Sequence, residues 1–339
     1  MDCCEGTQEV WQRANKARGG AQTTRDEWAA FVRKFAKDVG KDDPRDITEN
    51  DARAWSRALE SGLAPITVHA RLSCFRAICR IGIEERLLDT NPFEHVRVRG
   101  AKAKASARGK AFPNEIAAAI LAATLREKHP ARRWVPWLCA FTGSRVSAIV
   151  NLRGKDIVQV DGIWCLDINR EASPALKNAE SARTVAIHSV ILKQGFLEFV
   201  KSRGEGRLFY GDGLRNVRAP QFKSKERSRE AGQTQVPWNP GKGCANHLRE
   251  WLHSLDLPIG REHGLDPNHG WRHWIKRAAA DVGIEDRTID AIVGHAPATV
   301  GSRYGGVSVR AMKAALEHIN PPAFSDLAKT KRSRRAAGA

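Results

Sequence analysis

HGWRHWIKRAAADVGIEDRTIDAIVGHAPATVGSRYGG, residues 269–306, decides how the rest of the chain is read. His269 and Arg272 stand three apart, so a helix through WRHWIKRAAADV puts both on one face. Gly294 stops a second helix, His295 follows at once, and Tyr304 comes nine residues later. The chain holds only two tyrosines, Tyr210 and Tyr304, so tyrosine-based chemistry has few candidates. Upstream, TGSRVSAIVNL (142–152) sets Arg145 just after a glycine break, on a helix whose Val146, Ile149 and Val150 face a core. Only 157–188 changes character: IVQVDGIWCLDI and RTVAIH alternate and are β-branched, with Asp161-Gly162 as a turn, which predicts an antiparallel sheet of about three strands. The fold class is therefore mainly α with a small antiparallel β-sheet.

Working outward gives the domain plan. Residues 24–96 read as a helical domain. Trp28, Phe31, Phe35 and Val39 fall on one helical face, Thr48 is placed to cap a helix through DARAWSRALESG, and Val68, Leu72, Phe75, Ile78 and Ile81 form a second apolar stripe. Asn91-Pro92 ends this unit. The preceding residues, 1–23, read as an N-terminal tail. Residues 97–112 carry basic side chains with no acid and little to bury, which predicts a linker suited either to solvation or to tracking a nucleic-acid backbone. A larger domain spans 113–325, with 211–246 expected as irregular loop and helices resuming from His247 to Ile319. A basic tail, 326–339, closes the chain.

Fifty-six Lys plus Arg against 38 Asp plus Glu give a net charge of +18, and self-repulsion on that scale favours a polyanionic partner. No stretch is long and apolar enough for a bilayer, no secretory signal opens the chain, and no basic amphipathic helix offers a lipid face, so the expectation is a cytoplasmic, nucleoid-associated protein bound to double-stranded DNA rather than to membrane. The seven cysteines lack CxxC or Cys/His spacing, which predicts neither zinc nor disulfides.

An Arg in a TGxR turn, an HxxR, a GH, and a Tyr nine residues beyond that His, in this order, resemble the signature of tyrosine recombinases of the phage-integrase type. ALKNAESARTVAIH resembles that family's β-hairpin lysine region, with Lys177 matching its lysine, and the helical unit ending in an NPF turn resembles its core-binding domain. The resemblance runs over residues 24–325. It implies a two-domain clamp around duplex DNA, helical core-binding domain plus α+β catalytic domain, and a homotetramer on DNA with possible accessory DNA-bending proteins. It further implies site-specific recombination, integrating or excising a mobile element through a 3′-phosphotyrosine on Tyr304, with Lys177 as acid for the 5′-oxygen. The catalytic set is then Arg145, Lys177, His269, Arg272, His295 and Tyr304, with no metal and no cofactor.

The chemistry supports these roles independently. A phosphodiester repels nucleophiles, so cleavage needs fixed cations at the nonbridging oxygens, and Arg145 and Arg272 can supply them bidentately. His269 and His295 can add hydrogen bonds or move protons. A phenol of pKa ~10 needs such cations to become a nucleophile. Singly, each residue has an ordinary alternative: surface charges for the arginines and Lys177, a helix-end histidine for His295, a satisfied loop tyrosine for Tyr304.

Departures from the family pattern are Ala148, where an acidic residue is usual three positions after the first arginine, Ala186 in place of a hairpin proline, and His273-Trp274 after Arg272, with Trp274 expected in the core. Lys155 and Lys193 compete with Lys177 in sequence. The helix carrying Val309, Met312, Leu316 and Ile319 is expected to dock on a neighbouring subunit slightly ahead of its own. A topoisomerase with the same chemistry and a non-catalytic DNA-binding descendant remain the alternatives.

Overall fold

Apolar spacing in the first hundred residues builds helices α1 (Glu5–Ala17), α2 (Gln22–Val39), α3 (Glu49–Glu60) and α4 (Pro65–Glu84). These belong to a computed structural model that describes residues 5–17, 22–98, 110–173, 182–211, 240–295 and 306–323. The described residues divide into two compact units, within 1–107 and within 108–339. In the first, Phe35, Val68, Leu72, Phe75, Ile78 and Phe93 are buried together, and Phe75 stacks on Phe93 at 4.7 Å between ring centroids. Thr48 caps α3 as its sequence predicts, in a reciprocal box with Asp51.

Two expectations change here. Residues 5–17, read as tail, form α1, whose Trp11 and Ala14 are buried against α4; one aromatic amid a polar sequence (EGTQEVWQRANKA) was too thin a stripe to read as a core face. The ends of the stretch read as linker also belong to the cores: Val98 packs in the first unit, and Phe112 is buried in the second against Trp271.

The second unit starts with α5 (Asn114–Thr124), α6 (Pro130–Thr142) and the short α7 (Val146–Val150). Gly143, at φ +57°, ends α6 in the left-handed conformation and turns the chain into α7. A three-stranded antiparallel sheet follows in the order β1 (Ile157–Val160), β2 (Ile163–Ile168), β3 (Arg183–Ala186). Asp161-Gly162 turns β1 into β2 with both residues at positive φ, and Cys165 on β2 pairs with Ala186 on β3. Then come α8 (Ser189–Leu192), α9 (Phe196–Arg203), α10 (Pro240–Ser254), α11 (Gly270–Asp281), α12 (Asp286–Val293) and α13 (Val309–Glu317). Residues 240–246, expected as loop, are the first turns of α10, where Gly241 lies so close to Asn151 that a Cβ would meet its Oδ1 at 2.4 Å. No helix of the described residues is long and apolar enough to cross a membrane.

Helix α13 packs on its own unit, which corrects the preference for a neighbour. Met312, Leu316 and Ile319 are buried in the common core. Lys313 Nζ donates to the Ile187 carbonyl at 2.7 Å, and Glu317 accepts from the Ser189 backbone N–H at 2.9 Å. Lys313 and Glu317, paired with each other at 2.6 Å one turn apart, fasten one side of the helix to the segment that follows β3.

Candidate active site

Two helix ends built on left-handed glycines meet around one guanidinium. Arg272 lies in the first turn of α11 and is only 4% exposed. Its Nη1 donates to the carbonyls of Gly143 at 2.8 Å and Val293 at 2.6 Å, its Nη2 to the Gly294 carbonyl at 3.2 Å, and its Nε to His295 Nε2 at 3.0 Å. An arginine has five N–H bonds, so one on Nη2 is left without an acceptor among the described residues. The glycines are required at both carbonyls. A Cβ at Gly143 would meet Val293 Cγ1 at 2.6 Å and Ile275 Cγ2 at 2.8 Å, and a Cβ at Gly294, φ +70°, would meet Arg183 Nη1 at 2.6 Å.

The cap of α12 delivers His295. The backbone N–H groups of Gly294 and His295 both donate to the Asp290 carbonyl, at 2.9 and 3.0 Å, which folds the chain back over the helix end. That return sets His295 Nδ1 3.1 Å from Asp290 Oδ1, while Lys276 Nζ of α11 lies 2.8 Å from the same oxygen. Burial foremost, then the charges of Arg272 and Lys276, hold the His295 pKa below the ordinary histidine range, against the pull of Asp290.

Arg145 immediately precedes α7 and is partly buried. Its charge, after burial itself, lowers the pKa of Arg272, and it also acts on Arg183 and His269, so four basic groups share one region. His269 stands just before α11, where its backbone N–H donates to Asp266 Oδ1 at 3.1 Å. Burial, then His273 and Arg272, lowers its pKa; the His269 and His273 rings meet edge to face at 5.3 Å. Trp274 is in the core, as expected, with its indole N–H donating to Asn114 Oδ1 at 3.0 Å.

Arg183 on β3 is a site residue the sequence reading passed over. Its Nε donates to the Ile292 carbonyl at 2.8 Å and its Nη2 to Ser144 Oγ at 2.7 Å, tying the sheet to both glycine turns. Burial, Arg272 and Arg145, in that order, push its pKa down to about 9. Alternation could have flagged it, since Arg183 shares a strand face with the buried Val185. Asp290 and Lys276 were likewise missed.

Lys177 and Tyr304 lie outside the described residues. Their competitors are described. Tyr210 is buried, donates its hydroxyl to Asn151 Oδ1 at 2.6 Å, and has its pKa raised by burial, the opposite of what a nucleophile needs. Lys155 pairs with Glu171 at 2.9 Å, and Lys193 is exposed at the end of α8. Ala148 is buried in the core and brings no carboxylate. Among the described residues no group of three or more His, Cys, Asp or Glu could hold a metal ion.

The sequence matches no protein-family model and no curated protein. Solved structures do resemble it. The lambda integrase fragment 75–356, a dimer bound to a COC′ core site, is 17% identical over 87% of this chain and 93% of that one, with a TM-score of 0.59. The Tn1549 transposon integrase fragment 82–397, in complex with circular intermediate DNA, is 16% identical over 96% and 98%, with a TM-score of 0.56. A lambda integrase tetramer bound to a Holliday junction is 17% identical over 87% and 75%, at 0.58. The mainly helical fold with its three-stranded antiparallel sheet is thus the fold of these integrase structures.

Proposed function

We propose that the chain is a site-specific DNA recombinase that cleaves and rejoins duplex DNA through a covalent phosphotyrosine on Tyr304. The observation that carries this reading is the Arg272 pocket, where a buried guanidinium, aimed by three carbonyls and an imidazole, shares its surroundings with Arg145 and Arg183. Concentrated, desolvated positive charge of this kind is matched by an anionic phosphoryl group whose charge grows in the transition state.

In the mechanism, Arg145 and Arg272 bind the nonbridging oxygens of one phosphate and His269 adds a hydrogen bond from the start of α11. The Tyr304 hydroxyl gives its proton to solvent water as its oxygen attacks phosphorus, and the 5′-oxygen leaves with a proton from Lys177. The phosphotyrosine keeps the energy of the broken ester, so the reverse attack by a 5′-hydroxyl reseals DNA without ATP. Solved integrases of the same fold are bound to DNA as a dimer and a tetramer, which supports DNA as partner and a tetramer as the assembly in which strands exchange. Integration or excision of a mobile element is the setting that suits this chemistry, with accessory bending proteins as further partners.

The test is recombination between two copies of a site found by screening the DNA beside the gene for inverted repeats, set against relaxation of a supercoiled plasmid lacking that site. Recombined product from wild type and none from Tyr304→Phe is expected. Relaxation without recombination would instead make the chain a topoisomerase, and DNA binding with neither activity a non-catalytic descendant.

A further inference from the structure

We infer that Asp290 is a positioning residue: acting through the His295 imidazole, it aims the Arg272 guanidinium so that the remaining N–H of Arg272 meets the DNA phosphate. This rests on the function proposed above.

Arg272 Nε always carries its proton and lies 3.0 Å from His295 Nε2, so that nitrogen must present a lone pair. A neutral imidazole then has its only proton on Nδ1. Both Lys276 Nζ, at 3.3 Å, and Asp290 Oδ1, at 3.1 Å, lie near Nδ1. Lysine has donors only and cannot receive that proton, so Nδ1–H donates to Asp290 and Lys276 serves the same carboxylate, at 2.8 Å. The chain carboxylate, imidazole, guanidinium therefore runs in one direction. Moving the proton to Nε2 would set Nε2–H against Nε–H of Arg272 and leave Nδ1 a bare lone pair beside the Asp290 carboxylate, forfeiting both bonds. Ala148 supplies no carboxylate from α7, and Asp290 supplies one from α12. The five-residue step from Asp290 to His295 works because the left-handed Gly294 cap brings the residue after it back beside the helix's last turn.

The experiment reads the ring first. Nitrogen-15 NMR of histidine-labelled full-length protein, without DNA and with the His295 signal assigned by its loss in His295→Gln, is expected to show Nδ1 protonated and Nε2 bare. Asp290→Asn keeps an acceptor and is expected to keep that tautomer. Asp290→Ala leaves the Lys276 ammonium, 3.3 Å from Nδ1, to donate to that nitrogen in competition with Arg272, and is expected to populate the other tautomer and to slow covalent adduct formation on a nicked site by ~10–100-fold, the cost found for partners that orient metal-ligating imidazoles. DNA affinity should stay near wild type in Asp290→Ala, and Asp290→Asn should recover much of the rate. A wild-type ring protonated on Nε2 overturns the inference, as does a folded Asp290→Ala that forms adduct at the wild-type rate. Should Asp290→Ala fail to fold, the wild-type tautomer and the Asp290→Asn rate decide. Absence of adduct from wild type counts against the recombinase reading alone, because the tautomer is measured without DNA.

Discussion

Arg272 spreads its charge over three carbonyls and one imidazole at 4% exposure, so its removal leaves buried acceptors with no donor. Arg272→Ala is expected to lower unfolding free energy by ~1–3 kcal/mol in urea titrations and to abolish the covalent adduct. Arg272→Lys should not rescue the adduct, since a point charge cannot span the fork of acceptors a guanidinium fills. Gly143→Ala places a Cβ 2.6 Å from Val293 Cγ1 at φ +57°, and combined overpacking and backbone strain should cost ~2–4 kcal/mol. Unchanged urea midpoints in these variants would contradict the described pocket. At this scale the sequence disclosed what local spacing encodes: Arg272 from its place three after His269, and His295 from the glycine before it. Arg183, Asp290 and Lys276 stayed hidden because their meeting depends on β3, α11 and α12 arriving at one place, which no short spacing records.

Helix α13 shows what elements add. Its N-cap Ser308 accepts from the Ala311 backbone N–H at 3.1 Å, and Leu316 is fully buried. Ser308→Ala is expected to cost ~1 kcal/mol and Leu316→Ala ~2–5 kcal/mol, measured on the second unit's unfolding transition. A Leu316→Ala variant as stable as wild type would mean that α13 leaves its own core in solution. The apolar stripe of α13 was legible from its three- and four-residue spacing, but the surface that receives it was not, because an apolar stripe does not name its partner. Strands β1 and β2 were legible from alternation and the Asp161-Gly162 turn. Helix α1 was not, since its burial rests mainly on Trp11, and the start of α10 was masked by Gly241 and Gly243, of which Gly241 lies close against Asn151.

Over the whole molecule, burial is the first cause that holds five imidazoles, those of His129, His188, His269, His273 and His295, below the ordinary histidine range. The unfolded chain therefore binds these protons at higher pH than the folded one, and stability is lost as pH falls below ~6.5. Asp51, Glu171 and Glu317, whose pKa values lie at about 2, add a second loss beginning as pH falls below ~4. Thermal unfolding from pH 8 to pH 3 should show a plateau, then both steps; an unchanged melting temperature down to pH 5 would contradict the first. The proposed DNA binding, by a chain of charge +18, is expected to weaken steeply with salt. The most direct test of the whole account is to trap the reaction on a nicked copy of a site found by screening the DNA beside the gene for inverted repeats, and to map the protein–DNA bond by mass spectrometry. The account predicts a 3′-phosphate joined to Tyr304 in wild type and no adduct from Tyr304→Phe or Arg272→Ala. A wild type that forms no adduct, or an adduct that persists in Tyr304→Phe, would contradict it.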